Sequence, residues 1–305
     1  MDLWQLHIFC KVVDLKSFSR AGKAVHLSQP TVSSHIKDLE DHFDCRLVDR
    51  LAKEVLPTKA GRLLYRYAKR MISLRDEAES AMAEFKGKIR GSLELGGSTI
   101  PGAFILPMII AAFSQRFPEV NLSLSIADTQ QIIDAILAGD LELGVVGAVS
   151  SHAALMQTHL LDDELCLAVP AGHPWSAQQR VTPQQLFSEP FILREQGSGT
   201  LKSIQDSFSE AGLSINDLKI IARIGSTEAI RQGIKNGMGV SILSAIAVSD
   251  DVAAGRLTAL TIDGLNLKRA FYLTHHRHRS LSPLGQTFID FINSRIPFKR
   301  EQDPH

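Results

Sequence analysis

Hydroxyl side chains occur in pairs at three places where the sequence pattern changes from strand to helix. The pairs are Ser98 with Thr99, Ser198 with Thr200 on either side of Gly199, and Ser226 with Thr227. In open α/β sheets, ligands bind beyond the carboxyl ends of strands, where the free N–H groups of helix starts favour an anion. One such pair fits an ordinary N-cap equally well. Three together favour a cleft for a small oxyanion, which we expect to include Gly147 and, unless it points to solvent, Arg194.

A second group with chemical potential is the run His275, His276, Arg277, His278 and Arg279. Histidines bind metals, but these alternate with arginines at a strand end and have no thiol or carboxylate nearby. We expect a solvated basic loop and no metal site. The sequence also has no nucleophile elbow, no phosphate-loop lysine motif and no dinucleotide-binding glycine spacing. We therefore expect no catalytic residue, no cofactor and no enzyme.

The three cysteines, Cys10, Cys45 and Cys166, are too far apart in sequence to indicate a disulfide framework or a zinc site. Cys10 lies on an apolar helical stripe and Cys166 lies in an alternating strand pattern, so we expect both to be small core residues. A thiol redox sensor is the alternative.

The segment 28–43, SQPTVSSHIKDLEDHF, predicts a helix with Ser28 as its N-cap and one apolar face. That face consists of Val32, Ile36, Leu39 and Phe43. Two shorter helical stripes precede it, formed by Leu3, Leu6, Phe9, Cys10 and Val13 and then by Phe18, Ala21 and Val25. The short turn before the third helix indicates a helix-turn-helix, and an ordinary three-helix fragment is the alternative.

The stretch from Phe9 to Arg50, followed by PTKAG, is similar throughout to the DNA-binding domain of LysR-type transcriptional regulators. That family places its third helix in the major groove of DNA, with a wing behind it. Carried over by position, the resemblance implies helix contacts from Gln29, Pro30, Thr31, Ser33, Ser34 and Lys37. It implies wing contacts from Arg50, Lys53 and Thr58. Many relatives have an arginine where Ser34 stands and a more basic wing, so their base preference does not transfer to this chain.

Residues 59–86 predict a long linker helix with Thr58 as its N-cap. Apolar residues repeat along it at alternating spacings of three and four: Leu64, Tyr67, Met71, Leu74, Ala78, Ala81 and Phe85. Charged residues occupy the other faces, so this heptad seam favours pairing of two copies over packing on its own domain. A two-fold dimer would read two half-sites that are spaced by whole turns of DNA.

After a hinge at 87–91, strand and helix patterns alternate through residues 92–305, which predicts an α/β domain with a mainly parallel sheet. The stretches 160–167 and 260–268 indicate two crossings between subdomains. We expect lobe I to comprise 92–161 and 267–305, and lobe II to comprise 162–266.

This arrangement resembles the effector domain of the same family, a pair of lobes similar to periplasmic binding proteins. The matching segments are GGSTIPGAFILP, LAGDLELGVVG, ILREQGSGT and NGMGVSILS. The segments GGSTIPG, ILREQGSGT and IGSTEAI are most similar to the branch associated with sulfur or selenium metabolism.

The formal net charge is zero, so any affinity for DNA must come from a local basic surface such as the wing and the start of the linker helix. The sequence has no apolar run of membrane-spanning length and no signal-peptide pattern at its start. We therefore expect a cytoplasmic protein without a membrane partner.

Pattern and resemblance together predict an α+α/β protein: a winged helix-turn-helix at 1–58, the linker helix and a two-lobed effector domain. The expected function is sequence-specific transcriptional regulation. The expected partners are double-stranded DNA, a small anionic effector, further copies of the chain in a homodimer or homotetramer, and RNA polymerase. A cytosolic small-solute-binding protein is the alternative, for which the effector domain alone would suffice.

Overall fold

The computed structural model describes residues 1–50, 54–85 and 89–295, and the side chains at 77, 80, 81 and 83–85 lie outside that description. Contacts between residues divide the chain into two compact units. The first is Met1–Gly91 with Ala138–Asp140, and the second is the rest of the chain from Ser92.

The first unit contains the predicted helix-turn-helix and wing. Its helices are α1 (Leu3–Leu15), α2 (Phe18–Ala24), α3 (Gln29–Phe43) and α4 (Lys59–Phe85), and its strands are β1 (Val48–Arg50) and β2 (Val55–Pro57). The two strands pair antiparallel, with Val48 opposite Pro57. The tip of the wing, including Lys53, lies outside the described residues.

Helix α3 buries the apolar face that its periodicity predicts, because Val32, Ile36 and Leu39 are all fully buried. The prediction was wrong for Phe43, which is 39% exposed. Phe43 is the last residue of the helix, and Asp44 then turns into the left-handed region, so Phe43 lies beyond the packed turns. Leu3, the first residue of α1, is equally exposed.

Side-chain caps fix the starts of α3 and α4, as the sequence predicts. Ser28 Oγ accepts a hydrogen bond from the Thr31 amide at 3.3 Å. Thr58 Oγ1 accepts one from the Gly61 amide at 3.0 Å and donates to the Arg46 carbonyl at 2.7 Å. Each cap satisfies a helix N–H that has no intrahelical partner.

The second unit alternates strands and helices. Its strands are β3 (Gly91–Ser98), β4 (Val120–Ala127), β5 (Leu143–Val146), β6 (Leu155–Pro170), β7 (Arg180–Val181), β8 (Pro190–Arg194), β9 (Lys219–Ile224), β10 (Ser241–Ser244), β11 (Leu257–Ile262) and β12 (Lys268–His276). Its helices are α5 (Leu106–Arg116), α6 (Thr129–Ala138), α7 (Pro183–Leu186), α8 (Gly199–Glu210), α9 (Thr227–Lys235), α10 (Ala245–Ala253) and α11 (Pro283–Arg295). A π-helical turn, Pro101–Ile105, leads into α5.

The expectation of a mainly parallel sheet was wrong. The main sheet has the order β4-β3-β5-β12-β6-β11-β7, with β10 also paired to β6. Strand β6 pairs antiparallel with β10, β11 and β12, whereas β3 with β5, β7 with β11, and β8 with β9 are parallel. The segment 160–167, expected to be a crossing between subdomains, lies within the single strand β6. Strands β10, β11 and β12 pair beside β6 in the opposite direction.

Parallel pairing brings the carboxyl ends of several strands to one edge. Strands β3 and β5 pair with Leu95 opposite Leu143. Ser98, the last residue of β3, and Gly147, the first residue after β5, therefore lie at neighbouring strand ends. Strand β8 ends at Arg194, five residues before α8 begins at Gly199. None of the described helices combines the length and the apolar character that spanning a bilayer requires.

Candidate functional site

One cavity in the second unit gathers most of the predicted effector residues. It encloses at most about 220 Å³, including space open to solvent. The predicted residues in its wall are Ser98, Thr99, Gly147, Arg194, Ser198, Gly199 and Thr200. The sequence analysis missed five other wall residues, Ile100, Pro101, Thr129, Arg269 and Phe271.

Arg194 turns inward, and its side chain is only 2% exposed. Its Nε and Nη2 donate to the carboxylate of Glu195, both at 2.7 Å. Nη1 donates to Thr227 Oγ1 at 2.9 Å, and Nη2 donates to Thr99 Oγ1 at 3.1 Å. The guanidinium is therefore charge-paired and fixed in orientation in the cavity wall.

Arg269 is the second buried guanidinium of the cavity. Its Nε donates to Asp163 Oδ2 and its Nη1 donates to Thr200 Oγ1, at 2.7 and 3.0 Å. Its Nη2 is buried and has no hydrogen-bond partner among the described residues. Burial lowers the pKa of Arg269, the charge of Asp163 opposes this shift, and nearby Arg194 adds to it. The cavity thus holds two neighbouring guanidinium groups, one of which has a free donor.

The start of α8 forms another part of the wall. Ser198 caps the helix by accepting a hydrogen bond from the Leu201 amide at 3.4 Å. A Cβ at Gly199 would lie 2.7 Å from Thr129 Oγ1 and 3.1 Å from the Gly147 carbonyl oxygen, so only glycine fits without a shift of its neighbours. Because Ser198, Gly199 and Thr200 line the cavity, the positive end of the α8 dipole faces it.

The third predicted hydroxyl pair does not line the cavity. Ser226 caps α9 by accepting a hydrogen bond from the Ala229 amide at 3.2 Å. This is the ordinary N-cap role that the sequence analysis gave as the alternative to ligand binding. Thr227 is buried and accepts a hydrogen bond from Arg194, which does line the cavity. Strand β9, which leads to this pair, lies beside β8, and Arg194 at the end of β8 stands in the cavity wall and donates to Thr227.

Arg269 was missed because no local pattern marks it. It stands near the start of a strand, and its partners Asp163 and Thr200 are far away in sequence. One signal in the sequence could have found it. Arg269 begins the otherwise apolar segment RAFYL, and a charged residue in a buried strand indicates a charged partner elsewhere in the fold.

Most of the predicted DNA contacts lie on one exposed surface of α3. Gln29, Pro30, Thr31, Ser34 and Lys37 are exposed, and Ser33 is half-buried. Arg50, at the end of β1, is exposed and donates to Ser33 Oγ. Thr58 is half-buried, and its hydroxyl already caps α4 and donates to a carbonyl.

The predicted heptad seam of α4 packs partly on its own unit and is partly exposed to solvent. Leu64 and Met71 are half-buried and pack against the core of the first unit, whereas Tyr67, Leu74 and Ala78 are exposed. Leu63 and Met82 add to the exposed apolar stripe. The side chains of Ala81 and Phe85 lie outside the described set.

The histidine and arginine loop is only partly a solvated surface. Arg277 and His278 are exposed, but Arg279 donates to the carbonyls of Ile136 and Leu137 at 3.1 and 2.9 Å. Arg279 thereby satisfies carbonyls in the last turn of α6. Burial lowers the pKa of His276, as do the nearby Arg279 and the other histidines. Within the described ranges, no three potential ligands are arranged to hold a metal ion.

Two of the three cysteines are buried. Burial raises the pKa of both Cys10 and Cys166 to about 12, so neither thiol forms the reactive thiolate near neutral pH. Cys45 is exposed. The redox-sensor alternative therefore gains no support from Cys10 or Cys166.

Comparison with known families gives two matches. Residues 3–62 match the model for bacterial regulatory helix-turn-helix proteins of the lysR family. Residues 86–297 match the LysR substrate binding domain. Together they cover both units described above.

Curated relatives match over nearly the whole chain. The regulator CbbR of Xanthobacter flavus is 33% identical over 95% of this chain and 86% of its own length. The regulator CysL of Bacillus subtilis is 29% identical over 95% of this chain and 96% of its own.

Solved structures support the fold. CbnR in complex with its target DNA is similar with a TM-score of 0.71 at 21% identity, covering 96% of this chain and 99% of that one. The regulatory domain of CcmR from Synechocystis PCC6803, solved in complex with 2-PG, has a TM-score of 0.63 at 29% identity. That match covers 68% of this chain and 98% of the CcmR domain.

The N-terminal helix-turn-helix, the two-lobed effector domain and the relatives agree on one assignment. The relatives are transcriptional regulators and not enzymes. This chain belongs to the LysR family of DNA-binding transcriptional regulators that respond to small-molecule effectors.

Proposed function

We propose that the effector of this regulator is a small molecule with one or two oxyanion groups, bound in the cavity that holds Arg194 and Arg269. The observation that carries this proposal is the buried Nη2 of Arg269, which has no hydrogen-bond partner among the described residues. A buried donor without a partner costs roughly 1–3 kcal/mol, and more when it is charged. An oxygen of a carboxylate, phosphate or sulfate would remove this cost.

The other wall groups suit the same ligand chemistry. Thr99 and Thr200 each accept a hydrogen bond from one of the two arginines, and the hydroxyl hydrogen of Thr200 can turn toward an anion. The Thr99 hydroxyl donates to the Ala127 carbonyl at 3.5 Å, a long bond that an anion in the cavity can replace. The start of α8 adds a helix dipole that favours a negative charge by roughly 0.3–1 kcal/mol. Glu195 and Asp163 pair with the two arginines, so each guanidinium charge is compensated before a ligand binds.

Size and charge narrow the ligand class. A cavity of at most about 220 Å³ is smaller than the roughly 300–1,000 Å³ of sites for drug-sized molecules. The free Nη2 of Arg269 and the start of α8 each suit one oxyanion group, which favours a short molecule with an anionic group at each end, such as a phosphorylated carboxylate. The 2-PG complex of the CcmR domain supports this choice. A sulfur or selenium oxyanion is the second candidate, because GGSTIPG, ILREQGSGT and IGSTEAI are most similar to the branch associated with those elements.

The DNA-binding part of the proposal assigns base and phosphate contacts to the exposed surface of α3 and to the wing. In this proposal Gln29, Pro30, Thr31, Ser34 and Lys37 face the major groove, and Arg50 lies at its flank. Lys53, the other proposed wing contact, lies outside the described residues. Thr58 is assigned to capping rather than to free contact, because its hydroxyl is already used.

The exposed stripe on α4 is the proposed pairing surface of a homodimer, which is itself the building block of a homotetramer. Such a regulator acts in the cytoplasm, and RNA polymerase is its proposed partner at the promoter. The effector works by its different affinity for two arrangements of the assembly, since a ligand that binds both equally shifts neither. We also propose that lobe I comprises residues 92–161 and 267–305 and that lobe II comprises residues 162–266.

A thermal-shift titration of the full-length chain tests the effector site. The probes are 2-phosphoglycolate, sulfate, sulfite, thiosulfate and selenite. A ligand at about a hundred times its dissociation constant adds roughly 2.7 kcal/mol, which raises the melting temperature by several degrees. We expect one probe to produce this shift in the wild type and not in the Thr99→Val/Thr200→Val variant.

Ser226→Ala is the matched control, because it also removes a hydroxyl at a helix start but lies outside the cavity wall. It should lower the melting temperature slightly by loss of a cap and keep the full ligand shift. An undiminished shift in the double valine variant would refute the site. No shift with any probe would refute an oxyanion effector and leave the family assignment unchanged.

A further inference from the structure

Two contacts hold the guanidinium of Arg50 against the helix-turn-helix. Its Cζ lies 4.6 Å from the centroid of the Phe18 ring, and its Nη2 donates to Ser33 Oγ at 3.1 Å. Phe18 begins α2, Ser33 lies in the second turn of α3, and Arg50 ends β1. The side chain thus joins three elements of the DNA-binding unit.

Neither contact neutralises the charge of Arg50. A phenyl ring and a hydroxyl are both uncharged, and no carboxylate of a described residue forms an ion pair with Arg50. A long exposed arginine normally loses rotamer freedom when it binds, and here the freedom is already restricted before DNA arrives. The result is a full positive charge in a fixed place.

The position of Ser33 shows which part of DNA this charge faces. Pro30, Ser34 and Lys37 form the centre of the exposed surface of α3, and Ser33 lies roughly 60° to one side of that centre at 3.6 residues per turn. A group at the side of a helix that enters the major groove meets the phosphates that border the groove. Arginine suits this place because its planar group binds phosphate through two parallel N–H bonds.

We infer that Arg50 is a phosphate clamp that Phe18 and Ser33 position in advance, and that Ser33 acts through Arg50 rather than by reading a base. The inference rests on the proposed DNA contacts of α3 and refines the role of two of them. Ser33 is a positioning residue, because its oxygen accepts the hydrogen bond that holds the guanidinium of Arg50 in place.

The test measures affinity of the full-length protein for two duplexes between 50 and 200 mM salt. One duplex is selected by the wild-type protein from a random 30-base-pair library, and the other is its scrambled counterpart. Arg50→Ala should weaken both complexes by a similar factor, at least roughly tenfold. It should also reduce the slope of log affinity against log salt by about 0.9, the value for one phosphate. Arg50→Lys should keep the slope and lose part of the affinity.

The control for charge loss is Arg116→Ala. Arg116 also lies over an aromatic ring, that of Phe117 at 5.9 Å, but it belongs to the effector unit. This variant should leave both affinity and slope unchanged.

The role of Ser33 is tested by a double-mutant cycle. Ser33→Ala should weaken binding severalfold in the wild type and not at all in the Arg50→Ala background, and Ser33→Thr should restore binding because it keeps the hydroxyl. Equal loss from Ser33→Ala in both backgrounds would overturn the positioning role.

A loss of preference for the selected duplex in Arg50→Ala, with an unchanged salt slope, would overturn the clamp and make Arg50 a base reader. If the wild type selects no sequence at all, the proposed specific DNA contacts fail. In that case the salt dependence of binding to one random duplex from the library still decides whether Arg50 binds a phosphate.

Discussion

Asp251 is fully buried in α10 and accepts hydrogen bonds from three cations. Arg231 and Arg256 donate at 2.5–2.8 Å, and Lys235 donates at 3.3 Å. Burial alone would raise the pKa of Asp251, but the hydrogen bonds from Arg256, Arg231 and Lys235 lower it to about 2. This carboxylate ties α9 to α10 and to the turn before β11.

We predict that Asp251 stabilises the effector unit above pH 4 and stops doing so as the pH falls toward 2. The folded pKa lies below the ordinary value of 3.8, so the folded state holds its proton more weakly than the unfolded state. The difference is worth about 2 kcal/mol at neutral pH. Asp251→Asn also leaves three cations without their partner, so we expect a total loss of roughly 3–5 kcal/mol at pH 7.

Urea unfolding followed by the fluorescence of buried Trp175 measures this effect. The gap in stability between wild type and Asp251→Asn should narrow progressively between pH 4 and pH 2. Asp250→Asn is the matched control, since Asp250 is the exposed neighbour, and it should have little effect. A gap that stays constant with pH would contradict the assignment.

At the residue level, the sequence predicted the features that depend on residues close together in the chain. Hydroxyls that follow a strand and start a helix placed Ser98, Thr99, Ser198 and Thr200 in one cavity wall. The role of Arg269 could not be predicted, because its burial depends on pairing between β6 and β12 and on Asp163, 106 residues earlier. The contact of Thr227 with Arg194 likewise depends on a partner 33 residues away, through the pairing of β8 with β9.

Helix α4 shows how one apolar pattern serves two surfaces. Its seam predicted pairing, yet Leu64 and Met71 pack on the core of their own unit. Tyr67 and Leu74 remain 54% and 64% exposed, next to the similarly exposed Leu63 and Met82. A helical stripe of large apolar side chains in water favours association with a second copy.

We predict that Tyr67→Glu/Leu74→Glu dissociates the dimer. Loss of two buried apolar side chains costs at least about 3 kcal/mol, so the dissociation constant should rise by at least roughly 100-fold. Sedimentation velocity at micromolar concentration measures the change. Ser73→Glu, an exposed change on another face of the same helix, should leave the dimer intact. A double glutamate variant that still sediments with the wild type would exclude this surface.

Among the elements, helices were predicted more accurately than sheet topology. The starts of α3 and α4 depend on caps only three residues away, which the sequence displays directly. The direction of strand pairing around β6 depends on partners 70 to 120 residues later, which periodicity does not reveal. A mixed sheet therefore replaced the expected mainly parallel one.

On the scale of the whole molecule, the account requires that the anion site and the DNA site be thermodynamically linked. If an effector changes the affinity for DNA by some factor, DNA must change the affinity for that effector by the same factor. Binding of the anion alone would show a ligand site, and binding of DNA alone would show a DNA-binding protein. Their coupling is what makes the chain a regulator.

The most direct test is therefore a titration of the selected duplex with full-length protein, in the presence and absence of the anion that gives the thermal shift. The account predicts that the anion changes the affinity or the footprint on DNA for the wild type and for Ser226→Ala, and that Thr99→Val/Thr200→Val does not respond. An anion that binds in the cavity and leaves both affinity and footprint unchanged would contradict the central claim, as would an equal response from the double valine variant.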